Sequence, residues 1–153
     1  MFSTLTGLLD LEGGAVLDLY AGSGAVGLEA LSRGAGTATF VECDAQAARI
    51  ISANAQSMGL AGADVRCETV QRFSGRSGHG PAYDLVFADP PYEQGAADLA
   101  GHLVALAAGR IAPGAVVVVE RSSRDPQWSW PPPFEGLRVR RYGAATLWYG
   151  RRP

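Results

Sequence analysis

The sequence predicts an α/β chain built on a mostly parallel sheet, with helices on both faces and an antiparallel hairpin at its end. Three observations carry this. Short apolar runs bounded by Gly, Pro and Asp alternate with longer Ala-rich segments, the pattern of successive βα units. Several runs are apolar at consecutive positions, as at Val116 to Val119, which suits strands covered on both sides. Finally, the pattern closes on two strand-like runs separated by Gly143-Ala144.

Taken in order, the strands are Ala15 to Tyr20, Thr37 to Glu42, Asp64 to Cys67, Tyr83 to Ala88 and Ala115 to Glu120, with Leu137 to Tyr142 and Ala145 to Tyr149 as the hairpin. Between the parallel strands, Gly24 to Ser32, Asp44 to Met58 and Gln94 to Ala108 read as helices. Asp44 is placed to cap the second, Ala48, Ile51, Ala55 and Met58 recur along it at helical spacing, and Gly59 stops it. In the third, Leu99, Leu103 and Leu106 form the buried stripe and Gly109 follows. Arg121 to Gly136 holds Trp128, Trp130 and Pro131-Pro132-Pro133, an irregular loop whose tryptophans are expected to cover a sheet edge. No repeat or second domain is apparent, so residues 1–153 are read as one unit.

Composition narrows the setting. No run nears the roughly 18 apolar residues of a membrane span, and the start MFSTLTGLLDLEGG lacks a basic segment, so a cytoplasmic protein without membrane contact is expected. Cys43 and Cys67 have neither CxxC spacing nor a His partner and are read as reduced thiols at the core edge, with no metal site. The net charge of −2 argues against tight autonomous binding of a polyanion. All 13 basic residues are Arg, and five of them, Arg138, Arg140, Arg141, Arg151 and Arg152, could form a modest basic edge late in the chain. Glu29 and Arg33 are spaced to pair along a helix, while His79 in a Gly-Ser loop and His102 on the third helix are read as surface or rim positions.

The first strand runs into Tyr20-Ala21-Gly22-Ser23-Gly24-Ala25-Val26-Gly27, a GxGxxG turn that opens a helix. Glycines there allow a tight turn and a close backbone approach, and free N–H groups at the helix start favour a polar ligand. Alone the motif serves packing as readily as binding. Glu42, 20 residues after Gly22 at the end of the second strand, adds a carboxylate that can accept both hydrogen bonds of a ribose diol. Together these imply an adenosine-containing ligand, without choosing between a dinucleotide and S-adenosylmethionine.

Asp89-Pro90-Pro91-Tyr92, directly after the fourth strand, discriminates. Two prolines end the ladder, so the chain must leave the sheet at the carboxyl ends of the strands, where ligands of such sheets bind. The Asp89 carboxylate and the Pro90 carbonyl can accept the two N–H bonds of an aromatic amine and align its nitrogen for methyl transfer. Tyr92 can stack on an extruded base.

With those residues in place, the chain resembles the small-subunit ribosomal RNA guanine-N2 methyltransferases. The resemblance rests on Val16 to Ala35, on Val41-Glu42-Cys43-Asp44, on Asp89 to Tyr92 and on Arg141-Tyr142-Gly143. It implies a Rossmann-like class I methyltransferase fold with a mostly parallel seven-stranded sheet, S-adenosylmethionine as donor, and a guanine amine in the assembling small ribosomal subunit as acceptor, with the enzyme a monomer. Carried over by position, Asp18 and Tyr20, Ala21, Gly22, Ser23 and Gly24 would hold the methionine part, Glu42 the ribose, Cys43 one side of adenine, and Thr69 and Val70 its edge. Asp89, Pro90, Pro91 and Tyr92 would hold the target base, with Asp89 also next to the donor. Members of that family usually begin with a basic hairpin and an Arg-rich segment before the helix matched by Phe2 to Leu9. This sequence has neither, from a shorter natural start or a trimmed one, and weak RNA affinity and weak activity are expected to follow.

Other readings remain at this stage. Methylation of adenine N6 in DNA or RNA uses the same tetrapeptide. An NAD-linked oxidoreductase accounts for the glycine turn and Glu42 but leaves Asp89 to Tyr92 without a role. A non-catalytic nucleotide-binding or assembly module accounts for the fold alone.

Overall fold

In the computed structural model, residues 1–76 and 80–153 are described. The elements run α1 (Phe2–Thr6), β1 (Ala15–Leu19), α2 (Ala25–Ser32), β2 (Thr37–Val41), α3 (Ala45–Ser57), β3 (Ala63–Arg66), α4 (Val70–Gly75), β4 (Tyr83–Ala88), α5 (Ala96–Ala107), β5 (Ile111–Ser122), β6 (Glu135–Tyr142) and β7 (Ala145–Arg151). The expected strands and helices are present within a few residues at their ends. Two features were not expected: α4, a short helix whose N-cap Thr69 accepts from the Arg72 N–H at 3.1 Å, and an earlier start for β5. The expected loop position of His79 lies outside the described residues.

The seven strands form one sheet in the order β3-β2-β1-β4-β5-β7-β6, parallel from β3 to β5 and antiparallel through β7 and β6. The order reverses between β1 and β4, and at such a switch point the connections diverge to opposite faces and leave a crevice at the carboxyl ends.

Side chains alternate between two cores. Leu17, Leu19, Val86, Val117 and Val119 face α5, whose Leu99, Leu103 and Leu106 are fully buried as the stripe predicts. Val16, Phe40, Val116 and Val118 face Leu5, Leu28, Ile51 and Tyr149 on the other side. In α3 the Asp44 carboxylate caps the Gln46 N–H, Ala48, Ile51 and Ala55 are buried, and Met58 at the frayed end is exposed. Glu29 pairs with Arg33 at 2.7 Å.

The chain between β5 and β6 is irregular, and its tryptophans cover the sheet as expected. Trp128 is buried in the α5-side core and meets Trp130 edge to face at 5.7 Å. Trp130 lies on Gly136 and Gly150, which pair across β6 and β7, and a Cβ at Gly150 would come within 2.7 Å of its ring.

Two expectations need correction. Cys43 and Cys67 are free but exposed, because each lies just beyond its strand, where the chain has already left the packed layer. The late arginines do not form one edge. Arg138, Arg140 and Arg141 lie on the exposed edge strand β6, whereas Arg151 and Arg152 are half-buried and donate to the Leu8 and Ile111 carbonyls, tying the last strand down.

Candidate active site at the carboxyl ends of the strands

The turn after β1 is shaped by three residues with left-handed backbone: Tyr20 (φ 56°), Gly22 (φ 58°) and Gly24 (φ 78°). A side chain on Gly24 would press on Ile51, and one on Gly27 would overlap the Phe40 ring, so these glycines let α2 sit against β2 and α3. Tyr20 is the sole residue other than glycine with positive φ among the described residues, a strained conformation of the kind that clusters at functional sites.

Two carboxylates hold this turn. Asp18, on β1 and almost wholly buried, accepts from the Gly27 N–H at 3.0 Å. Burial raises its pKa to about 7, against the opposing pull of the Gly27 N–H, with the charges of Asp89 and Glu42 adding to the rise. Glu42 accepts from Gly22 N–H through one oxygen and from Asp44 N–H through the other, each at 2.8 Å. It therefore ties the turn after β1 to the start of α3. Each oxygen keeps a further lone pair for a ligand.

A cavity of about 600 Å³ opens beside these groups, within the range of small-molecule sites. Its walls follow the strand order. Tyr20 enters from β1, Glu42 and Cys43 from β2, Glu68, Thr69 and Val70 from β3 and α4, and Asp89 and Pro91 from β4, while Gln94 before α5 and Asp98 and His102 on it close the cavity. Of the residues expected to bind a donor, the structure thus brings Tyr20, Glu42, Cys43, Thr69, Val70 and Asp89 together. Asp18, Ala21, Gly22, Ser23 and Gly24 are not among the lining residues; Ala21 to Gly24 form the turn after β1, and Asp18 is buried in that strand. Of the expected clamp, Asp89 and Pro91 line the cavity. Pro90 and Tyr92 line a second pocket of about 220 Å³ behind the bracket, and Tyr92 is 96% exposed.

Four acidic side chains, Glu42, Glu68, Asp89 and Asp98, give the larger cavity a negative lining. Desolvation raises the Asp89 pKa. The Arg76 hydrogen bond to Glu68 at 2.5 Å lowers that of Glu68. His102 accepts or donates to Ser74 Oγ at 3.3 Å, and desolvation lowers its pKa, against the pull of Asp98. Two buried polar atoms on the cavity residues, the Tyr20 hydroxyl and Glu68 Oε1, have no hydrogen-bond partner among the described residues. Burial pushes the Tyr20 hydroxyl up to about 12, with Asp98 adding to the rise, so it is a donor throughout the physiological range.

Sequence reasoning did not single out Glu68, Gln94 or Asp98, and it read His102 only as a rim residue. Glu68 directly precedes the Thr69 cap, a position from which a cavity lining could have been suspected. Gln94 lies in the turn before α5, Asp98 and His102 are four apart on the α5 face beside the crevice, and only the packing of Leu99 and Leu103 fixes which face that is.

A comparison with known proteins places this geometry. The family model described as "Conserved hypothetical protein 95" matches residues 1–151. The chain is 38% identical over 79 residues to the Escherichia coli K12 protein named "Ribosomal RNA small subunit methyltransferase D", and 34% identical over 112 residues to the Haemophilus influenzae protein of the same name. These matches cover 52% and 72% of this chain but 39% and 58% of those proteins, so the chain spans well under two thirds of the relatives' lengths. The solved structure of yhhF from Escherichia coli superposes with a TM-score of 0.87 at 28% identity, over 99% of this chain and 82% of that one. The fold is the Rossmann-like class I methyltransferase fold.

Proposed function

The chain belongs to the family described as conserved hypothetical protein 95, and we propose that it transfers a methyl group from S-adenosylmethionine to the exocyclic N2 amine of a guanine in small-subunit ribosomal RNA. The observation that carries this reading is the position of Asp89 and Pro91 on the wall of the larger cavity, with Tyr92 free on the outer side of the same bracket.

The cavity suits the donor on three counts. Its acidic lining complements a ligand that carries a sulfonium and an ammonium. The unpartnered Tyr20 hydroxyl and Glu68 Oε1 offer a donor and an acceptor that the protein leaves unused. Glu42, fixed by two backbone N–H groups, presents its remaining lone pairs to a ribose diol. The turn from Tyr20 to Gly24, braced by Asp18 through Gly27, closes the methionine end, and Cys43, Thr69 and Val70 lie where an adenine would rest.

S-adenosylmethionine supplies an electrophilic methyl on sulfur. The protein prepares the amine, whose lone pair is otherwise delocalised into the base. The Asp89 carboxylate and the Pro90 carbonyl accept its two N–H bonds and hold the nitrogen in line. An amine that gains the methyl becomes positive, and Asp89 would take the proton it sheds and pass it to solvent. A carboxylate whose pKa is raised by desolvation suits that exchange. Tyr92 stacks on the extruded base.

The net charge of −2 argues against tight autonomous binding of free RNA, and the reading takes the target within an assembling ribosomal particle in the cytoplasm, with the chain acting as a monomer. Among the described residues no helix is long and apolar enough to cross a membrane.

The test supplies labelled S-adenosylmethionine and unmodified small ribosomal subunits and identifies the product nucleoside by mass spectrometry. The expected product is N2-methylguanosine. Asp89→Ala is expected to lower turnover roughly 100- to 1,000-fold while donor affinity, read by calorimetry, changes by no more than about threefold. Binding of NAD in preference to S-adenosylmethionine, or full turnover by the variant, refutes the reading.

A further inference from the structure

We propose that Glu120 selects guanine over adenine by accepting the N1–H of the target base beside the amine held by Asp89. This rests on the reading of Asp89 to Tyr92 as the base clamp and extends it to the second pocket.

The pocket of about 220 Å³ lies on the far side of the bracket from the larger cavity. Its lining brings Asp89, Pro91 and Tyr92 together with Glu120 and Arg121 of β5 and with Ala144 and Ala145 at the β6–β7 turn. The two small side chains leave room beside the exposed Tyr92 ring, on which a flat heterocycle could stack. The parallel register pairs Phe87 with Val118 and Ala88 with Val119. Continued by one residue, it sets Asp89 opposite Glu120, one strand spacing of about 4.8 Å away and on the same face of the sheet.

Neither carboxylate has a cation partner among the described residues. Arg121, next along β5, is engaged by the Gln94 carbonyl at 3.1 Å and by Asp125 at 3.5 Å. Desolvation raises the pKa of Glu120, and the charge of Asp89 adds to it, in keeping with two acids facing one small space. Two adjacent acceptors without donors call for a ligand with two adjacent donors. The edge of guanine offers N1–H beside the N2 amine. Adenine places a bare N1 acceptor next to its amine, and a carboxylate at Glu120 would repel it.

The test titrates wild type and Glu120→Gln, each with and without S-adenosylhomocysteine, with guanosine 5′-monophosphate and with 2-aminopurine riboside 5′-monophosphate, followed by NMR. The second probe keeps the 2-amine but replaces N1–H with an acceptor. Wild type is expected to prefer the guanine nucleotide roughly 10- to 100-fold, as for one hydrogen bond to a charged acceptor. Glu120→Gln is expected to lose that preference to within about twofold, with an unchanged melting curve and unchanged affinity for S-adenosylhomocysteine. Equal binding of the two probes by wild type, no binding of either, or full preference retained in the variant overturns the role of Glu120. Failure of the wider reading shows elsewhere, as no affinity for S-adenosylhomocysteine or no methylated nucleoside in RNA.

Discussion

In the parallel half of the sheet, β1 to β4 end together, and nearly every group that lines the larger cavity belongs to a segment that follows one of those ends. In the antiparallel half, β5, β7 and β6 run in alternating directions, and the space beside them is filled by Trp128 and Trp130. The first half holds Tyr20 in a strained backbone beside the cavity; the second packs an aromatic ring directly on a glycine pair. The difference teaches that the donor cavity and edge closure are assigned to different parts of one sheet, joined by the shared core of β4 and β5.

Substitutions can break or sharpen that separation. The largest effect on stability is expected from Trp130→Ala, which uncovers Gly136 and Gly150. It should cost about 3 kcal/mol, lowering the melting temperature by roughly 6–12 °C, while affinity for S-adenosylmethionine stays within about twofold. A comparable loss of donor affinity would show that the two halves are not independent. Gly27→Ala should cost less, about 1–3 kcal/mol, because Phe40 must yield to the new methyl. Here donor affinity should fall several-fold as well, since Gly27 anchors the turn through Asp18; calorimetry on the folded variant checks this.

A third effect is read as a dependence on pH. Asp18 has a pKa of about 7 in the fold against 3.8 for a free side chain, so the native state favours the protonated acid. Its stabilising share is whole below pH 3.8 and fades as pH rises towards 7. Asp18→Asn keeps an acceptor for the Gly27 N–H but does not titrate. Between pH 4 and pH 7 the wild type should lose stability relative to this variant by up to about 1.4 kcal/mol per pH unit, measured by urea unfolding. A constant difference would show that the folded state leaves Asp18 ionised over this range, as the unfolded chain does.

Much of this could be read from residue order. Consecutive apolar residues at Val116 to Val119 announce a strand covered on both faces, the Asp44 cap and Gly59 bracket α3, and the two prolines after Asp89 force the chain out of the sheet where the cavity lies. What escaped depends on packing between distant segments. Nothing local tells that Val70 to Gly75 coils into α4, since its length is marginal and its cap was read as a ligand contact. Nor does local sequence tell that Asp98 and His102 face a cavity whose other walls come from residues 20 to 91. Arg151 and Arg152 look like a charged tail until the Leu8 and Ile111 carbonyls are found beside them. The glycine turn and Glu42 were legible as a pair, but not the two backbone N–H bonds that make the pair a fixed unit.

That fixed unit has a consequence for recognition. Because Glu42 already clasps Gly22 and Asp44, the rim of the cavity is assembled before any nucleoside arrives. An incoming ligand therefore meets a finished socket and need not gather a wandering loop, so little of its affinity is lost to freezing the chain. If Glu42 also takes the ribose, as proposed, the same clasp makes it answer to two demands at once, and changing it for the sugar would also loosen the joint between β1 and α3.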